Sequence, residues 1–400
     1  MGWSNANSIL KIEDVDVIGI CDVDQGVIEK RLDSYSKLRT NKPSVYRDYR
    51  ELINNPEIDA VIIGTPDHWH CMPMVEAVQA GKHVYVEKPI ANTIQECRLM
   101  VDAAQKSGKV VQVGQWQRSG PHYRDAIEIV RSGKLGNIRL VKVWAYQGWM
   151  EPVPVLPDEP VPEGVDYDFW LGPAPDRPFN RNRFHFNFRW FWDYAGGLMT
   201  DWGVHEIDIA LYAMQATAPV SVMASGGKLA YPDDASETPD TLQTVYQYDG
   251  FSMLWEHATG IDGGPYGRTE GIAFIGNNGT LVVNRGGYEV MVEKYPQGYS
   301  ERGEPKMEPI AGFTKPQELN YLDLHTKNFV DAIKANDPSM LNTPIDSGSV
   351  AAINAQMGNI AYKTGEKVYW DPETGEFAKN KVANKLIQAL YHGDWKVPVI

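Results

Sequence analysis

Residues 14–24 read DVDVIGICDVD. The apolar run VIGIC ends in Asp22, and the next segment, QGVIEKRLDSYSK (25–37), is helical in pattern. An acidic residue closing such a strand suits a dinucleotide-binding fold. It can accept hydrogen bonds from the adenosine ribose hydroxyls and repel a 2′-phosphate, which favours NAD over NADP. Any surface strand can end in Asp, so the neighbouring segments must carry the reading.

They continue the alternation. IDAVIIGTP (58–66) is a strand, and MPMVEAVQAG (72–81) is a helix closed by Gly81. HVYVEKP (83–89) is a strand, TIQECRLMVDAAQKSG (93–108) a helix, and KVVQVGQ (109–115) a strand. The helix opens with a capping box, Thr93 to Glu96, carries Ile94, Cys97, Val101 and Ala104 on one face, and stops at Gly108. Strands that are apolar on both faces and alternate with helices predict a parallel sheet covered on both sides.

After the helical stretch 122–137 the texture changes. Longer strand patterns follow one another from IRLVKVWAYQ (138–147) to YEVMVEKY (288–295), with Asn278-Gly279 as a hairpin signal. Helical patterns at 200–214, 318–335 and 344–363 flank them. The expectation is a dinucleotide-binding domain over 1–120 and, over 121–400, an α+β domain with an open, mainly antiparallel sheet. The Pro-rich EPVPVLPDEPVPEG (151–164) reads as an extended surface loop.

The 400 residues suffice for two full cores. A net charge of −14 argues against a nucleic-acid partner, and no apolar run is long enough to span a membrane. Three cysteines without a CxxC pair argue against a disulfide framework or a structural zinc site. Six of the 12 Trp residues (Trp144, Trp149, Trp170, Trp190, Trp192 and Trp202) lie between 144 and 202. They suit stacking on sugar faces or, equally, ordinary packing.

Four stretches carry chemistry. GTPDHWH (64–70) lies at the ligand-binding edge of the sheet. His68 and His70 have metal-pair spacing but no evident third ligand, and the plainer reading is a loop over the cofactor. Lys88, in YVEKP, projects at the same edge, either to bond a substrate hydroxyl or as a surface lysine. In GGLMTDWGVHEIDIALY (196–212), Asp201 and His205 are four residues apart on one helical face. Asp201 would orient or charge-tune His205 as a base, with Glu206 and Asp208 favouring its protonated form; a capped helix with a satisfied histidine is the alternative. Arg177, Arg181, Arg183 and Arg189 form a basic island for a pyrophosphate or anionic substrate, or for pairing with surplus acids.

In order and spacing, CDVD (21–24), GTPDHWH, VEKPIA (86–91), GQWQR (114–118) and DWGVHEID (201–208) make this chain resemble the family of glucose–fructose oxidoreductases, inositol dehydrogenases and MocA-type proteins. The resemblance runs to VYWDPETGEF (368–377) and beyond. It implies a Rossmann-type domain and a catalytic trio of Lys88, Asp201 and His205. It implies NAD contacts from Gly2, Asp22, Thr65, Pro66, His70, Glu87, Lys88, Gln117 and Arg118, with NADP less favoured. Substrate contacts would come from Lys88, Trp116, Arg189, Asp201 and His205, with no metal.

The implied activity is hydride transfer between NAD(P) and a hydroxyl carbon of a sugar, sugar derivative or cyclic polyol. Transient oxidation that cleaves a glycoside is one alternative, and a non-catalytic sugar or dinucleotide sensor another. A homo-oligomer, dimer or tetramer, is expected from the open sheet. Family members carry a strand and a complete glycine loop ahead of the position of Gly2. The expectation is therefore that roughly twenty or more residues, a first strand and the loop's front, precede Met1. No signal segment opens the chain, so a cytoplasmic location is the default and a periplasmic one follows if an export signal lies upstream. DFWLGPAPDRPF (168–179) resembles a subgroup that is often exported and acts on sugars.

Overall fold

The computed structural model describes residues 1–400. The first five strands, β1 Gly19–Cys21, β2 Ser44–Tyr46, β3 Ala60–Ile63, β4 His83–Val86 and β5 Val111–Val113, all pair in parallel. They form two sheets, β1-β2 and β3-β4-β5, with no ladder joining β1 to β3. Helices α1 Gly2–Ile9, α2 Gln25–Ser36, α3 Tyr49–Ile53, α4 Cys71–Gln79 and α5 Ile94–Ser107 alternate with these strands. The α5 boundaries follow its capping chemistry. The Thr93 hydroxyl accepts the Glu96 N–H, and Gly108 closes the helix in the left-handed region at φ 65°.

Helix α1 packs against β3. A Cβ on Gly64 would fall 2.7 Å from the Gly2 Cα, whereas one on Gly2 would meet Gly64 at an ordinary 3.8 Å. The close backbone approach therefore requires glycine at the strand end, position 64.

The second half is one ten-stranded sheet. Its strands are β6 Leu140–Gln147, β7 Ser221–Gly227, β8 Thr241–Gln247, β9 Ser252–Thr259, β10 Glu270–Ile275, β11 Gly279–Asn284, β12 Gly287–Val292, β13 Phe313–Thr314, β14 Val368–Asp371 and β15 Glu376–Phe377. Their order is β13-β12-β11-β10-β6-β9-β8-β7-β14-β15, and only β6 and β9 run parallel. In β8, buried Leu242, Thr244 and Tyr246 alternate with exposed Gln243, Val245 and Gln247, so one face meets the core and the other is open.

The remaining helices are α6 Pro121–Arg131, α7 Tyr167–Leu171, α8 Leu198–Asp201, α9 Gly203–Met214, α10 Tyr321–Ala335, α11 Ile345–Thr364 and α12 Lys381–Lys385. Side chains of α6, α9 and α11 join the sheet's inner face in the largest core, which encloses Trp255, Tyr246 and Phe274. Burying each such ring contributes about 2–3 kcal/mol.

Two expectations change here. The helix expected over 200–214 is broken at Trp202, so Asp201 ends one short helix and His205 sits in the first turn of the next. Nor does packing divide cleanly at residue 120. Phe329 and Val330 of α10 join Ile9 and Tyr85 in one cluster, and Ala352 of α11 joins the core under β3–β5. No helix is long and apolar enough to cross a membrane.

Candidate active site

Strand β4 is apolar and buried through Val84–Val86, so its carboxyl end delivers Glu87 and Lys88 to the seam between the two halves. The Lys88 ammonium donates to the Asp201 carbonyl oxygen at 2.7 Å and to its carboxylate at 2.9 Å. Arg189 Nε donates to the same Asp201 oxygen at 3.1 Å. Burial alone would raise the Asp201 pKa, but the two cations outweigh it and hold the carboxyl well below its usual range.

Asp201 thus grips Lys88 and Arg189, and no hydrogen bond joins it to His205, contrary to the expectation that it orients the imidazole. Lys88, from across the seam, and Arg189 claim the Asp201 oxygens instead. His205 is 5% exposed, and its Nδ1 has no partner. Burial pushes its pKa well below the usual histidine value, Lys88 and Arg285 push the same way, and Asp201 opposes them. The expected protonating influence of Glu206 and Asp208 is absent. Asp208 is engaged by Arg118, and Glu206 lies against a second carboxyl, Glu270.

The anticipated cofactor residues fall into two groups. At the carboxyl ends of the parallel strands lie Asp22 (half-buried), Thr65 (exposed), Pro66 and Glu87. Glu87 accepts from Asn5 of α1 at 2.7 Å, and the buried Asn5 Oδ1 has no partner. The first turn of α1 has no side-chain cap. Acceptor, unsatisfied amide oxygen and uncapped helix start suit a dinucleotide's ribose and phosphate groups.

The other anticipated contacts are committed inside the protein. His70 contacts the Pro89 and Thr65 carbonyls at 2.6 and 2.9 Å, and His68 the Trp170 carbonyl at 3.1 Å. Burial lowers both imidazoles to about 4, so each is neutral and braces a loop. Gln117 bonds Tyr123, Glu206 and Arg285. Arg118 forms a two-pronged pair with Asp208 at 2.7 and 2.8 Å and bonds Ser347.

Trp116, expected at the substrate, stands edge-on to His205 with Tyr321 beside it and the Arg285 guanidinium 4.8 Å over its ring. Of the six clustered tryptophans, Trp144, Trp170 and Trp190 are buried, and Trp149 is 56% exposed. Three members of the basic island are neutralised locally: Arg177 by Asp193 and Glu237, Arg181 by Glu159, and Arg183 by Asp158. Only Arg189 reaches the site.

The structure adds Asp67, Arg285 and Glu270. Asp67 is buried, and burial raises its carboxyl to about 8 against the pull of Arg189 and Lys88. It lay within GTPDHWH, where the two histidines draw the eye. Arg285 comes from the turn between β11 and β12 and reaches Trp116, Trp202 and Gln117. No local pattern marks it, since its partners are distant in sequence.

Residues 2–115 match a family described as "Oxidoreductase family, NAD-binding Rossmann fold", and residues 137–266 match its "C-terminal alpha/beta domain". The chain belongs to this Gfo/Idh/MocA family of NAD-binding oxidoreductases. It is 34% identical over 141 residues to "Glycosyl hydrolase family 109 protein 1" of Shewanella sp. (strain ANA-3), and 33% identical over 141 residues to "Alpha-N-acetylgalactosaminidase" of Shewanella oneidensis. Both matches cover 34% of this chain and 31% of the relative, so less than a third of each relative's length is spanned.

Among solved structures, aldose-aldose oxidoreductase from Caulobacter crescentus, complexed with glycerol, superposes with TM-score 0.64 at 20% identity, covering 91% of this chain and 94% of that one. Levoglucosan dehydrogenase with NADH and levoglucosan gives TM-score 0.65 at 19% identity, covering 92% and 97%. These likenesses extend the shared fold over nearly the whole chain.

Proposed function

We propose that the chain oxidises or reduces a hydroxyl carbon of a sugar, sugar derivative or cyclic polyol with NAD. One observation carries the reading: Lys88, held by Asp201, lies near a buried, neutral His205 at the carboxyl edge of an NAD-binding sheet. NAD, when bound, supplies the hydride acceptor or donor, with Asp22, the start of α1, Thr65, Pro66 and Glu87 to hold it.

The chain's own residues manage the proton and the oxygen. A neutral imidazole in a dry site can take the hydroxyl proton. Lys88 steadies the oxygen as negative charge develops there. Asp201 fixes Lys88 through its carbonyl and carboxylate oxygens, and Arg189 in turn holds that carboxylate in place. Gln117 and Arg118 act from beneath by holding the segment that carries Trp116.

The test is NAD reduction over a panel of sugars, inositols and glycosides, with Lys88→Met as control. Turnover that disappears in the variant supports the reading, and wild-type turnover in the variant removes it.

The partial matches to glycosyl hydrolase family 109 proteins favour a second outcome at the same site. Oxidation of a ring hydroxyl acidifies the neighbouring C–H, loss of that proton expels the glycosidic leaving group, water adds, and the carbonyl is reduced again. Release of a chromogenic aglycone from an N-acetylgalactosaminide without net NADH identifies this course. Steady NADH formation excludes it.

A further inference from the structure

Beneath His205 lies a charged group that the proposed reaction does not use. Glu206 is fully buried on α9, and Glu270, 6% exposed, opens β10. The two carboxyls lie against each other, and Oε2 of each is buried without a hydrogen-bond partner. Ionised carboxylates carry no donor, so neither could answer the other's orphaned oxygen.

Their remaining bonds all lead to one place. Glu206 Oε1 accepts from Gln117 at 3.2 Å, and Gln117 Oε1 accepts from Arg285 Nε and Nη2 at 3.3 and 3.2 Å. Glu270 Oε1 accepts from the Arg285 backbone N–H at 3.2 Å. The guanidinium itself lies 4.8 Å over the Trp116 ring and 4.3 Å over the Trp202 ring. Both indoles stand edge-on to His205, with ring centroids 6.1 and 6.3 Å away.

We propose that Glu206 and Glu270 share a single proton, and that the pair, through Gln117, anchors Arg285 as a fixed cation between Trp116 and Trp202 beside His205. One proton leaves one negative charge on the pair, which balances Arg285. Two ionised carboxylates would leave a net buried charge, and two protonated ones would leave Arg285 without a counterion. Burial raises both carboxyls, Glu270 raises Glu206 further, and Arg285 opposes both, which agrees with one retained proton. Arg268 also faces Glu270 but pairs with Glu289, Asp208 faces Glu206 but pairs with Arg118, and Tyr123 and Tyr321 lie against the pair as neutral phenols.

Arg285, Gln117, Glu206 and Glu270 are then positioning residues. They fix two aromatic walls and a cation whose charge adds to burial and to that of Lys88 in keeping His205 free of a proton against the pull of Asp201. The basic role of His205 belongs to the proposed reaction, but the shared proton and the placement of Arg285 do not depend on it.

Two measurements on the unliganded full chain test the proposal. The first is the unfolding constant against pH. A pair that retains a proton in the folded state, beyond the usual glutamate range, makes wild-type stability fall as pH rises, by about tenfold in the unfolding constant per pH unit for one proton. Glu206→Gln replaces the shared proton with an amide donor, so the slope falls by that one proton's share. Glu270→Gln does the same should the first variant fold poorly. A slope equal to wild type in either folded variant overturns the shared proton.

The second is NMR of the protein labelled at histidine Cε1, with the His205 signal assigned from His205→Asn. In wild type it stays neutral as pH falls to 5. In Arg285→Gln it titrates at higher pH, and in Arg285→Lys, which keeps the charge, it does not. An unmoved His205 signal in Arg285→Gln overturns the role of Arg285.

Discussion

Two charge clusters flank His205, and they are near-opposites. On one side a single carboxylate, Asp201, meets two cations, Lys88 and Arg189. On the other, Arg285 faces two carboxyls, Glu206 and Glu270. Both clusters are removed from bulk water, so burial penalises every ion in each. Direct hydrogen bonds from Lys88 and Arg189 outweigh burial at Asp201 and hold its carboxyl well below the usual range, whereas at Glu206 burial and Glu270 prevail and push the carboxyl well above it. At His205 burial lowers the imidazole first, and Lys88 and Arg285 push the same way.

Breaking the first cluster at Lys88 has the largest effect. Lys88→Met lowers kcat about a thousandfold, in the range for a group acting on a developing charge, while NAD affinity by calorimetry changes little. Wild-type kcat would place the chemistry elsewhere.

The next effect sets a matched pair against the two unmatched clusters. Arg118→Met strands Asp208, which is 1% exposed, and costs about 3–5 kcal/mol in urea unfolding. A loss below 1 kcal/mol would mean that Asp208 simply takes up a proton.

Asp201→Asn leaves Lys88 and Arg189 without their shared counterion and costs about 3 kcal/mol at pH 7. The sign of its pH dependence sharpens the contrast. The Asp201 carboxyl is lowered by folding, so its contribution is complete above the usual aspartate range, about pH 4, and is lost as pH falls toward the folded value. The wild-type advantage over Asp201→Asn should shrink in acid, whereas that of the glutamate pair shrinks as pH rises. Parallel trends would refute the opposition of the two clusters.

The smallest effect is the control. Arg181 is 67% exposed beside Glu159, and Arg181→Ala should leave the urea midpoint where it is, because water screens such a pair. A clear shift would show the basic island to be structural.

Much of this was legible beforehand because it rests on local rules. The period of the apolar residues predicts the alternating strands and helices, the Thr93–Glu96 box starts α5 where expected, and Asn278-Gly279 turns β10 into β11. Lys88 was placed at a strand's carboxyl edge by the end of an apolar run, and the structure finds it there. Spacing failed at Asp201, whose partners Lys88 and Arg189 come from other segments of the chain and leave no hydrogen bond to His205.

The sequence by itself determined the elements, their class, and the identity of Lys88, Asp201 and His205 as the residues to watch. These follow from short-range periodicity, caps and motif order. Only the tertiary structure decided what each charge faces. Arg118 meets Asp208 across 90 positions and Arg285 meets Gln117 across 168. Protonation depends on burial and on the count of opposite charges within a few ångströms, and chain folding alone sets both. Asp201 and Glu206, five positions apart, therefore hold opposite states.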